Sequence, residues 1–159
     1  MIDNLTFLTG CSGEGLTSYA LQLAFEAAAK NEQVLFLNGS DTNEAIRKLC
    51  YKIKGRISDL EIKKNVAFVD KQTCIDMNWN FDNLYPLLGS HFDFIIIDPM
   101  FHFFPDRPDS LNKIYLLCKT APRLMIVTSL NTLQEYKYIP KIYNEISIPS
   151  EYIRPGFEE

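Results

Sequence analysis

Residues Gly10-Cys11-Ser12-Gly13-Glu14-Gly15-Leu16-Thr17 carry the chain's strongest chemical signal. They follow the phosphate-binding pattern of Gly, four residues, Gly, Lys and then Ser or Thr, with Leu16 standing where the lysine belongs. Such a loop holds phosphate with successive backbone N–H groups at a helix N-terminus, and its glycines let the anion come close. That work belongs to the backbone and does not need the lysine. The lysine adds a positive charge on the transferring phosphate, which leucine cannot supply. A charge-assisted hydrogen bond is worth about 1.5–3 kcal/mol, and losing a donor to developing charge costs about 10²–10³ in rate. Glu14 also puts a negative charge where an anion would sit. The expected phosphate contacts are Gly10, Cys11, Ser12, Gly13, Glu14, Gly15, Leu16, Thr17 and Ser18, with Thr17 the expected Mg²⁺ ligand. Two readings stay open here: a weak nucleotide site, and a turn that joins strand to helix and binds nothing.

A second signal lies downstream in Phe94-Ile95-Ile96-Ile97-Asp98. An apolar strand ending in an acid matches the segment that holds Mg²⁺ in phosphate-loop proteins. Any buried strand can end in Asp, so the motif gains its weight from the loop upstream. Asp98 is therefore paired with Thr17 as an expected Mg²⁺ ligand. ATP with Mg²⁺ is the implied cofactor, bound weakly.

The elements that must position these residues follow from apolar runs. Leu5–Leu8, Val34–Leu37, Val66–Val69, Phe94–Asp98 and Leu124–Thr128 read as buried strands. Thr17–Lys30, Asn43–Lys54, part of Trp79–Leu88 and Leu111–Cys118 read as helices. Continuous β-branched runs separated by helices predict a mostly parallel central sheet flanked by helices, an α/β fold. Ile142–Ile148 with Tyr152–Ile153 suggests an edge hairpin. One domain over residues 1–153 and a short tail over 154–159 are expected.

Composition bounds the class. The chain has 159 residues, 47% hydrophobic and 23% charged, which is ordinary for one globular domain. A domain of this size buries about 68–70% of its unfolded surface. The net charge of −4 gives no whole-chain sign of nucleic-acid binding. No run reaches the length of a membrane span, and no leader-like segment opens the sequence, so a soluble protein of cytoplasm or nucleus is expected. Cys11, Cys50, Cys74 and Cys118 stand singly, as reduced thiols do. His91 and His102 have no ligand set near them, and no metal site beyond Mg²⁺ is inferred.

On these residues the chain resembles the ATPase core shared by RecA, the DnaB replicative helicases and KaiC. The loop Gly10–Thr17 is similar to the KaiC-type Gly-Thr-Ser-Gly-Thr-Gly-Lys-Thr, differing at three residues. Val34–Leu37 resembles the next strand of that core. Ile126–Asn131 resembles the late helicase strand in which a polar residue senses the γ-phosphate. The similarity runs over roughly residues 5 to 131. It implies a RecA-like P-loop fold with a degenerate Walker A motif, in which a glutamate after the second strand would activate water. Ser40 and Asp41 stand at the matching positions; Asp41 is a shorter substitute and Ser40 is none. With the lysine also replaced, the resemblance implies a degenerate ATPase rather than an enzyme. Lys48 or a neighbouring subunit's arginine is the conceivable replacement for the missing charge.

Relatives that keep this fold and lose its chemistry serve as subunits, as recombinase paralogues, Shu-type accessory proteins and the RecA-like subunits of Elongator do. The resemblance thus implies a RecA-like or helicase-like protein partner in DNA recombination, repair or replication, DNA contact through a complex, and no membrane. The alternatives are a nucleotide sensor and a composite ATPase completed by a neighbour. Two surfaces suit a partner. Phe101, Phe103 and Phe104 follow Asp98 in an aromatic stretch that is either exposed as a patch or folded onto the core. Lys52, Lys54 and Arg56 belong to a basic stretch from Arg47 to Lys71, which is either a phosphate-binding stripe or a solvated face. Phe25 to Ala28 fits the Phe-x-x-Ala pattern of recombinase contacts but falls in a helix as core. Tyr136 and Tyr138 are further stacking candidates.

Overall fold

The computed structural model describes residues 2–11, 15–39, 43–54, 65–69, 71–76, 91–100, 107–120, 122–129, 133 and 143–152. Among these residues six strands form one sheet: β1 (Ile2–Gly10), β2 (Val34–Asn38), β3 (Val66–Val69), β4 (Phe94–Asp98), β5 (Arg123–Ser129) and β6 (Tyr143–Ser147). Their order is β3-β2-β4-β5-β1-β6, and every pairing is parallel. Four helices accompany them among the described residues: α1 (Leu16–Ala29), α2 (Asn43–Lys54), α3 (Lys71–Asp76) and α4 (Arg107–Thr120).

Strand side chains alternate between two apolar layers, because successive Cβ atoms leave a strand on opposite faces. Leu8, Phe36, Phe94, Ile96 and Val127 face α1 and α2 and pack with Ala20, Ala24, Phe25, Ile46 and Ile53. Leu5, Phe7, Leu35, Ile95, Ile97 and Ile126 face the other way and pack with Ile114 and Leu117 of α4. Covered on both faces, β2 and β4 are buried along their whole length, which explains their unbroken apolar runs.

The small residues of α1 set its distance from the sheet. Ala20, Ala24, Ala27 and Ala28 are all buried, and together they let the helix lie close against the strands. The helix ends in a Schellman arrangement. Asn31 takes a left-handed φ of 64°, while the Asn31 and Glu32 N–H groups donate to the Ala28 and Ala27 carbonyls at 3.0 and 3.2 Å.

One expectation is corrected. Tyr143–Ser147 joins the sheet as a parallel strand beside β1, not as an arm of a hairpin. Tyr152 lies beyond a turn at 150–151, and Ile153 is outside the described residues, as is the Trp79–Leu88 helix. The sequence reading also passed over α3, whose six residues give too short a pattern to detect. No helix among the described residues is long and apolar enough to cross a membrane.

Candidate phosphate and magnesium site

Because the strands are parallel, β1, β2, β4 and β5 end on one edge of the sheet. Open α/β sheets bind ligands at this carboxyl edge. Four buried polar side chains collect there: Thr9, Asn38, Asp98 and Thr128. They divide between the faces by alternation. Asn38 and Asp98 lie on the α1 side with Phe36 and Ile96, whereas Thr9 and Thr128 lie on the α4 side with Phe7 and Ile126.

That parity brings the two sequence motifs together. The first turn of α1 stands over the end of β4, although β5 separates β4 from β1. Thr17 Oγ1 donates to Asp98 Oδ2 at 2.7 Å. Asp98 is 3% exposed, and its carbonyl accepts the Gly39 N–H at 2.7 Å. The end of β2 is thereby tied to the end of β4. The Asp98–Pro99 peptide bond is cis.

At the start of α1, Gly15 occupies the N-cap in a left-handed conformation, φ 90° and ψ 34°, and makes no side-chain cap bond. A Cβ there is costly, so glycine suits the position. With no side-chain acceptor at the cap, the first-turn N–H groups have the arrangement that anions exploit. No acidic residue stands in the first turn to compete. Leu16 is half-buried and packs against the apolar layer under α1. Its side chain therefore has an apolar neighbour without entering the core. Ser18 is buried and donates to the Gly15 carbonyl at 2.9 Å.

The Thr17 hydroxyl and the Asp98 carboxylate fit a Mg²⁺ site by donor type and by their closeness. Magnesium in nucleotide sites takes one or two protein oxygens and completes its shell with phosphates and water. No group of three or more His, Cys, Asp or Glu side chains with metal-site geometry occurs among the described residues. An all-protein metal cage is therefore absent from them.

Other expected residues are placed as follows. Gly10 ends β1, and Cys11 is exposed at the mouth of the loop. Ser12, Gly13, Glu14, Ser40, Asp41, Arg56, Phe101, Phe103 and Phe104 lie outside the described residues, as do Tyr136 and Tyr138. Lys52 is exposed on α2, and Lys54 closes that helix. Lys48, next to it, pairs with Glu44 at 3.3 Å on the exposed face. Phe25 and Ala28 are core, as the sequence implies.

Two features escaped sequence reading. Thr9 Oγ1 donates to Glu145 Oε1 of β6 at 3.1 Å, and Tyr152 reaches Ser18 (below). Neither has a local pattern; only the position of β6 beside β1 creates them. At the opposite, amino edge, a cavity of about 300 Å³ is lined by Leu23, Ala27, Phe94, Arg123 and Ile146. There the Arg123 guanidinium sits 3.8 Å above the Phe94 ring centre and pairs with Glu32 at 3.1 Å.

The fold, a six-stranded parallel sheet with helices on both sides, is similar to that of a solved KaiC-like protein. The structure of a KaiC-like protein from the hyperthermophilic archaeon Pyrococcus horikoshii OT3 superposes on it with a TM-score of 0.56 at 15% identity. The match takes in 97% of this chain and 65% of that one, so the chain spans about two thirds of the neighbour's length. No protein-family model matches the sequence, and no curated protein matches it significantly.

Proposed function

We propose that this protein is a hydrolysis-deficient RecA-fold subunit that binds Mg-nucleotide weakly and acts through a protein partner. One juxtaposition carries the reading: Thr17 and Asp98 are bonded at 2.7 Å, while Leu16, at the lysine position, is half-buried against the apolar layer. The part of the site that holds Mg²⁺ is kept, and the charge that drives phosphoryl transfer is absent. If Mg²⁺ is bound, it supplies neutralisation of phosphate charge. The chain's own residues orient the ligand with Gly15–Ser18 backbone N–H groups and exclude water through the buried end of β4. Such a site favours occupancy over turnover.

The partner is proposed to be another RecA-like or helicase-like protein, in DNA recombination, repair or replication. The fold likeness to KaiC-like structures and the lost lysine support this reading by analogy. The exposed face of α2, with Lys52 and a 72% exposed Tyr51, is the described surface best suited to a partner or to DNA within a complex. A composite ATPase completed by a neighbour's cation is the second reading, favoured by the retained Thr17–Asp98 pair. Calorimetry with Mg-ATP and Mg-ADP tests both. Binding at micromolar to millimolar ligand without turnover is expected; no binding at millimolar ligand sinks the nucleotide role. Turnover appearing only on addition of a RecA-like partner would select the composite enzyme.

A further inference from the structure

Beyond β6 the chain turns back onto the first turn of α1. The Tyr152 N–H donates to the Pro149 carbonyl at 3.0 Å, closing a turn. The Tyr152 hydroxyl then donates to Ser18 Oγ at 2.9 Å, across 134 residues of sequence. Ser18 Oγ in turn donates to the Gly15 carbonyl at 2.9 Å. The same carbonyl accepts the Tyr19 N–H at 2.9 Å, so both of its lone pairs are used. The Tyr152 ring packs edge-on against Tyr19, with centroids 5.0 Å apart and planes at 64°. Ser18 is 2% exposed, and hydrogen bonds in so dry a place hold their geometry well.

The relay ends on a particular peptide unit. The Gly15 carbonyl and the Leu16 N–H share one planar amide, and fixing the oxygen aims the N–H in the opposite direction. That N–H opens the row of donors that a loop without lysine must rely on. We infer that Tyr152 is a positioning residue for the phosphate loop, acting through Ser18 to hold the Gly15–Leu16 amide in its anion-binding orientation. This rests on the reading of the loop as a Mg-nucleotide site. It adds a dependence on the segment after β6, which has no place in the loop motif.

Tyr152→Phe tests it, because the variant keeps the ring against Tyr19 and removes only the hydroxyl. Mg-ATP affinity of the full chain is measured by calorimetry for the parent protein, Tyr152→Phe, Ser18→Ala and the double variant. Thermal melts and amide exchange of Leu16–Tyr19 run alongside. Tyr152→Phe is expected to bind about fivefold more weakly, the factor of one net hydrogen bond, with its melting temperature lowered by no more than about 2–4 °C. The double variant should bind no more weakly than Ser18→Ala alone, since both changes break one relay. Exchange at Leu16–Tyr19 should quicken in Tyr152→Phe, and Mg-ATP should slow it less than in the parent. Unchanged affinity in Tyr152→Phe, or additive losses in the double variant, would overturn the inference while leaving the nucleotide site standing. Failure of the parent protein itself to bind overturns both.

Discussion

Leu16 sits where two demands meet, the loop's need for a cation and the core's need for an apolar neighbour. Half-buried against the layer beneath α1, it serves the core. Leu16→Lys is therefore expected to tighten Mg-ATP binding about tenfold or more, the factor of a charge-assisted bond. The same change should lower the melting temperature by a few degrees, since about 1 kcal/mol shifts a domain of this size by about 2–4 °C. Calorimetry and a thermal melt check the two halves. Asp98→Ala should instead abolish the Mg²⁺ dependence of binding and cost stability, because it removes the buried carboxylate that accepts the Thr17 hydroxyl. Binding that keeps its Mg²⁺ dependence in that variant would discard the metal assignment. The cysteines offer a pH-linked check. Burial pushes the Cys118 thiol up to about 11, whereas Cys11 is exposed. At pH 8 only about one Cys118 in a thousand is thiolate, so iodoacetamide should label Cys11 long before it. The raised value means that the neutral thiol's contribution to stability is whole below the ordinary thiol range and is lost as pH climbs through about 11. Equal labelling of the two would refute the burial. Most of this site was legible, since Gly10, Thr17 and Asp98 announce themselves by spacing. Tyr152 was not, because nothing near it in sequence hints that β6 will lie beside β1.

Among the elements, strands were easier to read than their neighbours. Phe94–Asp98 and Val34–Asn38 are apolar because both faces are covered, and that same cause makes them visible in the sequence. Residues 144–147 of the edge strand alternate between half-buried and exposed positions; that pattern fits a hairpin equally well, and only the register with β1 decides for a parallel edge. Helix α1 was found within a residue at each end, through its run of alanines and leucines. Those alanines carry an element-level prediction. Ala24 is fully buried between helix and sheet, and Ala24→Leu forces the two apart, at about 1–3 kcal/mol for overpacking. Because α1 also carries Thr17, this variant should weaken nucleotide binding together with stability. Ile96→Ala on the strand below leaves a cavity instead, costing about 2–5 kcal/mol, and denaturant titration measures both. A variant at either site as stable as the parent would contradict the packing described.

On the scale of the whole molecule, the first turn of α1, the Thr17–Asp98 pair and the Tyr152 relay lie at one edge of one sheet, so a ligand bound there would be felt as global stability. A ligand that binds only the folded state adds about 2.7 kcal/mol at a hundred times its dissociation constant. Mg-ATP should accordingly raise the melting temperature, and Mg²⁺ or ATP alone should raise it less; absence of any shift at millimolar ligand would contradict the proposed role. The strand order has one more consequence, for how the protein is made. β1 is the first strand in the chain, and its two partners are β5 and β6, beginning at Arg123 and Tyr143. The strand that leads into the Gly10–Thr17 segment thus leaves the ribosome long before either neighbour exists. At about 5–20 residues per second, it waits on the order of 6–24 s with both of its edges open, its leucines and Phe7 uncovered. During that interval the nascent chain displays a bare apolar strand to whatever chaperone, or fellow nascent chain, meets it first.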